Sequence, residues 1–382
     1  MGRLRRHVAL LAALVVGAVE VECLELSEQQ LTNISITGSS STSTLSFAFY
    51  SGDALVTTLS AAELAQESVL LLQNNSLTSI PAELFQAAYN VTSINISSNP
   101  LTELKAKSFV NMPRLERVLC MDTQIQVLPS YLASGCPMLD TLVFNQSAIH
   151  TIESQALVNL PALRTLDLSY NRLETVAREL FMVSSSWKAL NFAHNGILTV
   201  PSGIKNAVAE GYISFDYNSL VEIDEKAFDG ASQIQELRLA SNAIFTVNSD
   251  AFSGMTALRK LDLSDNVISV IDKNAFGDVD GLEELKLGQN YIHRLTLSSV
   301  PTQLTHLELQ DNLLDLMPDF PDGFLASQLV YLNMSRNYLW SIATNDALSP
   351  YTGLVTLDFS RNRLVNFSSA LFDPIMATIE AM

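Results

Sequence analysis

Apolar residues recur along this chain in a fixed frame, L-x-x-L-x-L-x-x-N-x-L, seen plainly in LRKLDLSDNVI (258–268) and again in IQELRLASNAI (234–244). The asparagine column of that frame reads Asn75, Asn99, Thr123, Ser147, Asn171, Asn195, Asn218, Asn242, Asn266, Asn290, Asn312, Asn337 and Asn362. Eleven of these thirteen positions are Asn, and most steps between them are 24 residues. Self-similarity at such a period is the mark of a repeat architecture, in which each unit covers its apolar face with the next.

The alternation L-x-L puts two leucines on one side of a short strand and the intervening residues on the other. Parallel stacking of such strands builds a sheet with one continuous apolar face. The chain must then turn away sharply, and its backbone groups need partners there. An Asn side chain offers both a carbonyl and an amide, so one Asn per coil can bridge successive turns. Thr123 and Ser147 can do so only in part, which predicts a weaker seam around them. About ten residues beyond the ladder a bulky apolar residue recurs, at Phe85, Phe109, Leu157, Phe181, Phe228, Phe252, Phe276 and Phe372.

This pattern resembles the leucine-rich repeat family, in its typical 24-residue form with a phenylalanine spine, over roughly residues 63–382. The resemblance implies an α/β repeat solenoid of about thirteen repeats, a right-handed horseshoe. Its parallel β-sheet would line the concave face, and its convex side would be irregular or short-helical. It further implies the ectodomain of an extracellular receptor or receptor-like protein that binds a protein or peptide. An adhesion or matrix protein without a signalling role stays open as a second reading.

Composition adds a location. Arg3, Arg5 and Arg6 precede the apolar run 8–19, so residues 1–18 read as a secretory signal. Residues 19–62, rich in Ser and Thr, read as an N-terminal cap region, with LSFAFY (45–50) as a degenerate first repeat. The next ladder position would fall beyond Met382, so no C-terminal cap is expected here and the sequence reads as part of a longer protein. No stretch after the leader predicts a transmembrane helix. The net charge of −18 disfavours nucleic acid, whose phosphates such a surface repels.

Of three cysteines, Cys120 and Cys136 occupy apolar repeat positions and read as small buried hydrophobes, with a disulfide between them as the sharper alternative; Cys23 lies near the mature start. No phosphate loop, zinc motif or activated nucleophile is legible, so neither enzyme, cofactor nor metal site is expected. A binding surface remains. Six and four places before the ladder stand Glu236 and Arg238, Lys260 and Asp262, Glu284 and Lys286, His306 and Glu308. Adjacent strands bring these into a chequered array of charge. Upstream, Asp167, Asn191 and the aromatic set Tyr170, His194, Tyr212 and Tyr217 suggest a shallow shelf beside small residues. A third cluster, Arg336, Arg361 and Arg363 with Tyr338 and Trp340, is basic and aromatic.

Seven N-x-[ST] sequons mark candidate glycosylation sites: Asn33, Asn74, Asn90, Asn95, Asn145, Asn333 and Asn366. None falls between residues 146 and 332. Asn95 and Asn333 sit four places before a ladder residue, and Asn145 two places before one. Sugars there would cover both ends of the strand face and leave its middle open.

Overall fold

The computed structural model describes residues 44–46 and 68–365, apart from positions 76, 81–84, 86–87, 184–186, 202–203, 205–208, 278, 299–300, 319–327 and 343–350. The leader, Cys23, the rest of the cap region through residue 62, the sequons Asn33 and Asn366, and Phe372 lie outside the described residues.

Among the described residues fourteen short strands form one parallel sheet in strict chain order, from Thr44–Ser46 and Val69–Leu71 to Tyr331–Asn333 and Thr356–Asp358. The register aligns the middle leucine of each strand with its neighbour: Leu237 with Leu261, Leu261 with Leu285, and Leu285 with Leu307. Those leucines are buried while the residues on either side are half-buried or exposed, so one face of the sheet is core and the other is open. This is the leucine-rich repeat horseshoe solenoid, whose concave face is the open face of the sheet.

Behind the sheet the core is one continuous cluster running from Leu70 to Leu357. Phe228, Phe252 and Phe276 stack in its rear at centroid spacings of 5.7 Å, and Phe85 meets Phe109 at 5.9 Å. Leu157 and Phe181 are buried in the corresponding places. Away from the sheet the described residues are mostly turn and irregular backbone, with three small parallel sheets of two-residue strands and a 3-10 helix at Arg178–Met182; no α-helix occurs among the described residues. Cys120 and Cys136 are buried free thiols, so the disulfide alternative is not realised. Burial pushes the Cys120 thiol up to about 12, and such a thiol is inert.

The position just before each ladder residue is left-handed. At all thirteen, from Asn74 to Arg361, φ lies between 51° and 58°, and none is glycine. An L-residue there carries a steric cost of roughly 1–2 kcal/mol. The ladder side chain offsets it. Asn266 Nδ2 donates to the carbonyls of Leu263 and Ser264 in its own coil, at 3.1 Å each, and to Leu239 of the preceding coil at 3.0 Å. Its Oδ1 accepts the Ile244 N–H at 3.1 Å. Ten asparagines, Asn99 and the nine from Asn171 to Asn362, repeat both inter-coil bonds. At about 0.5–1.5 kcal/mol net per bond, four bonds outweigh one strained turn. Thr123 and Ser147 instead bond each other, Oγ1 to Oγ at 2.7 Å.

Four ladder steps depart from 24 residues, and one of them also disturbs the strand pairing. The step from Asn195 to Asn218 is 23 residues, and the pairing of Trp187–Asn191 with Ala209–Ser214 shifts register between Trp187 and Ala189. Gly211 sits at that irregularity, where any Cβ would collide with the Lys188 carbonyl; only glycine permits the close approach.

Two substitutions with opposite signs test this seam. Asn266→Ala strips partners from buried backbone groups and is expected to lower unfolding free energy by about 2–4 kcal/mol. Thr123→Asn supplies the missing amide and is expected to raise it by about 1 kcal/mol. Chemical denaturation of the two variants checks both.

Candidate functional site

The open face of the sheet carries the charges in rows. Arg238 Nε donates to Glu236 Oε1 at 2.6 Å along its own strand, and its guanidinium lies over the Tyr212 ring at 4.6 Å. Two strands on, Lys286 Nζ stands 3.1 Å from Glu284 and 3.9 Å from Glu308, while Lys260 reaches Glu284 across the strand boundary at 3.3 Å. Burial opposes ionisation of Glu284, but the two lysines overcome it and hold its carboxyl below the usual range. Lys286 moves the other way: partial burial would lower it, yet Glu284, Glu308 and Asp262 keep it above the ordinary ammonium value. Exposed pairs of this kind contribute about 0–1 kcal/mol each. Their effect is to order side chains over the sheet, with little gain in stability.

Asp262 breaks the expected chequered pairing. Its Oδ1 accepts the N–H of Ser264 at 3.0 Å and its hydroxyl at 2.6 Å. The reason is local: an Asx residue four before the ladder reaches the N–H two residues on. Asp167 does the same with Ser169, and Asn191 with Ala193. In each case one side-chain oxygen closes the strand end within its own coil. His306 is likewise occupied, its ring stacked with Tyr331 at 5.8 Å.

The aromatic shelf divides in two. Tyr212 lies on the strand face beneath Arg238. Tyr170, His194 and Tyr217 lie beyond the strands, in the left-handed turn positions along the rim. Their rings form one column, 3.9 Å from Tyr170 to His194 and 4.1 Å from His194 to Tyr217, stacked nearly parallel at 12° and 8°. Between rim and strand, Asp216 accepts the Ala240 N–H at 2.8 Å and the Ser214 hydroxyl at 3.1 Å. Burial, with the Asp262 charge as a smaller contribution, holds its carboxyl above the usual range against the hydrogen bonds from Ala240 and Ser214 and the weaker pull of Arg238. At the far end, Arg363 covers Tyr338 at 4.1 Å and Arg336 approaches Asp311 at 3.5 Å.

The three sequons of the face differ in geometry. Asn95 and Asn333 accept the N–H of Ser97 and Ser335 through Oδ1, at 3.0 Å in both cases. Asn145 is half-buried: Nδ2 donates to Asp167 at 3.1 Å, and its Oδ1 is buried without a partner.

Sequence reasoning missed an exposed apolar stripe beside the ladder. Leu198, Val221, Phe245, Val267, Val270 and Tyr291 are all at least 40% exposed, one or two on each of five consecutive coils. Its signal was present, since the one, three and four places after the ladder are apolar there, but alternation with the buried second place hid it among core residues.

Among the described residues no grouping suits a metal ion, and no helix is long and apolar enough to cross a membrane. The leucine-rich repeat family model matches residues 68–125, 118–173, 212–268 and 257–314, more than half the sequence. The chain belongs to the leucine-rich repeat family. No curated protein matches it. Among solved structures it is similar to Toll in the Toll–Spatzle complex of Drosophila, with 21% identity, TM-score 0.69, and coverage of 88% of this chain and 45% of that one. The leucine-rich repeat domain of APL1B gives 20% identity, TM-score 0.65 and coverage of 82% and 86%. TLR13 in its complex with ssRNA13 gives 19%, TM-score 0.61 and coverage of 83% and 47%. The chain thus spans under half the length of the Toll and TLR13 chains, and at these identities the likeness is one of fold.

The raised Asp216 carboxyl gives a signed prediction. A group whose folded pKa exceeds its unfolded one contributes stability below the unfolded value and loses it as pH rises through the folded one. Asp216→Asn retains the acceptor for Ala240 and removes the charge. The variant is expected to gain on the parent as pH rises from about 4 to 7. Denaturation at the two pH values checks this; an equal deficit at both would contradict it.

Proposed function

We propose that this chain is the ligand-binding part of a secreted or cell-surface leucine-rich repeat protein. It takes a protein or peptide ligand on its concave face, between Asp167 and Glu308, as the ectodomain of a receptor or receptor-like protein. One observation carries the reading: the sequon-free stretch 146–332 coincides with the ordered rows of opposite charge on the open sheet face. Such a face is near neutral in sum but specific in pattern, so it rejects a partner whose charges fall out of register. The basic start and apolar run of residues 1–18 support export, and the sequons at Asn74, Asn90, Asn95 and Asn333 support a glycosylated surface outside the open stretch.

The Toll structure holds a protein, Spatzle, and the TLR13 structure an RNA. For this chain the net charge of −18 favours the first kind of ligand. The residues of the face hold no activated nucleophile, and their function here is to bind.

Ligands selected from a displayed library of extracellular domains on the full chain provide the test. The double variant Arg238→Glu, Lys286→Glu is expected to weaken them about tenfold or more. Met182→Ala on the convex side, where Met182 is 66% exposed, is expected to change nothing. The opposite pattern would overturn the reading.

A further inference from the structure

The ring column at the rim ends abruptly, and its end is shaped. Tyr170, His194 and Tyr217 occupy the same turn position on three consecutive coils, and their planes lie nearly parallel. The stack therefore runs along the solenoid, and the outer face of Tyr217 points toward the next coil. There the same position is Ser241, too small to cover a ring. One coil further it is Asp265, exposed, whose Oδ2 accepts the Ser241 hydroxyl at 2.7 Å. With strands about 4.8 Å apart, the backbones at Tyr217 and Asp265 are two coil steps, about 9.6 Å, apart, and the Asp265 carboxylate reaches back over Ser241 toward the ring. The result is a slot with an aromatic wall, a hydroxyl floor and a carboxylate wall. Tyr217 itself is 54% exposed.

The width admits one planar group, the wall asks for a π-face or a cation, and the carboxylate asks for positive charge and N–H donors. A guanidinium meets all three: it is flat, permanently charged, carries five donors and stacks on aromatic rings. The same molecule uses that pairing twice with its own side chains, Arg238 on Tyr212 and Arg363 on Tyr338. A lysine ammonium would satisfy the carboxylate but not the flat wall. Further along the same three coils, four residues after Tyr217 and Ser241 and two after Asp265, Val221, Phe245 and Val267 stand 43%, 45% and 40% exposed. Exposed apolar groups clustered next to a polar anchor point mark protein docking surfaces.

We infer that the rim of coils 218–266 receives an arginine side chain of a protein partner, its guanidinium stacked on Tyr217 and paired with Asp265, with neighbouring apolar side chains on Val221, Phe245 and Val267. The inference rests on the proposed protein-binding role and extends recognition from the concave face to its edge.

The test uses the full chain with labelled tyrosines and follows ring resonances during titration with N-acetyl-arginine-N′-methylamide. The Tyr217 signals are expected to move in a saturable way. The lysine and citrulline analogues are expected to bind at least about fivefold more weakly, since each lacks one half of the match. Asp265→Asn should weaken the arginine analogue about fivefold. Tyr217→Ser, at an exposed position where thermal melting verifies folding, should abolish the site, read from the remaining rings and from equilibrium dialysis. Equal shifts with arginine and lysine, shifts spread over the acidic surface, or binding that survives Tyr217→Ser would overturn the inference. An arginine site present while Arg238→Glu, Lys286→Glu leaves selected ligands unaffected would count against the concave-face reading alone; the reverse pattern would count against the slot alone.

Discussion

The fold depends on one bargain struck once per coil: a left-handed, non-glycine turn is held shut by the side-chain amide that follows it. The turn lets the chain leave the sheet in a single residue, and the amide satisfies the carbonyls and N–H groups that this sharp exit would strand in the core. Because ten of the asparagines also reach the preceding coil, the same side chain closes a turn and fastens two repeats together. Leucine burial supplies the bulk of the drive to collapse, but leucines alone would not fix the register of one coil on the next. The aligned pairing of Leu237, Leu261, Leu285 and Leu307 follows from the seam.

A fixed seam makes the variable positions meaningful. Since the coils leave the sheet at the same point, residues four and six before the ladder flank the buried leucine on the open face at Glu236–Arg238, Lys260–Asp262 and Glu284–Lys286, while Ser214 in the same column is buried, and the residue just before the ladder takes the left-handed turn in all thirteen coils. Surface character is then set by substitution at fixed places. On the face this gives Glu284 caught between Lys260 and Lys286; on the rim it gives three aromatic rings at regular spacing, then a gap, then a carboxylate. The two devices lie on adjoining surfaces of the same coils.

The repeat, its phase and the inward leucines were legible in the sequence, because period and residue type both report burial. The stacked phenylalanines were legible for the same reason. Side-chain direction at the strand end was not. Tyr170, His194 and Tyr217 read as face residues, yet the left-handed turn swings them to the rim. Asp262 read as a partner for its charged neighbours, yet a backbone N–H two residues on lies closer than any lysine. Alternation along a strand does not encode such short-range competition between backbone and side chain. The exposed stripe from Leu198 to Tyr291 was hidden because hydrophobicity marks both core and docking surface, and only the coil geometry separates them.

Amide hydrogen exchange on the full chain tests the seam most directly. The N–H groups of Ile149, Leu173, Ile197, Leu220, Ile244, Ile268 and Ile292 all donate to a ladder Oδ1. They are expected to exchange slowly, while the equivalent Leu101 and Ile125, which face Thr123 and Ser147 in place of Asn, exchange at least about tenfold faster. Uniform protection across all nine, with no break at Leu101 and Ile125, would show that the asparagine amides are not what holds the coils together.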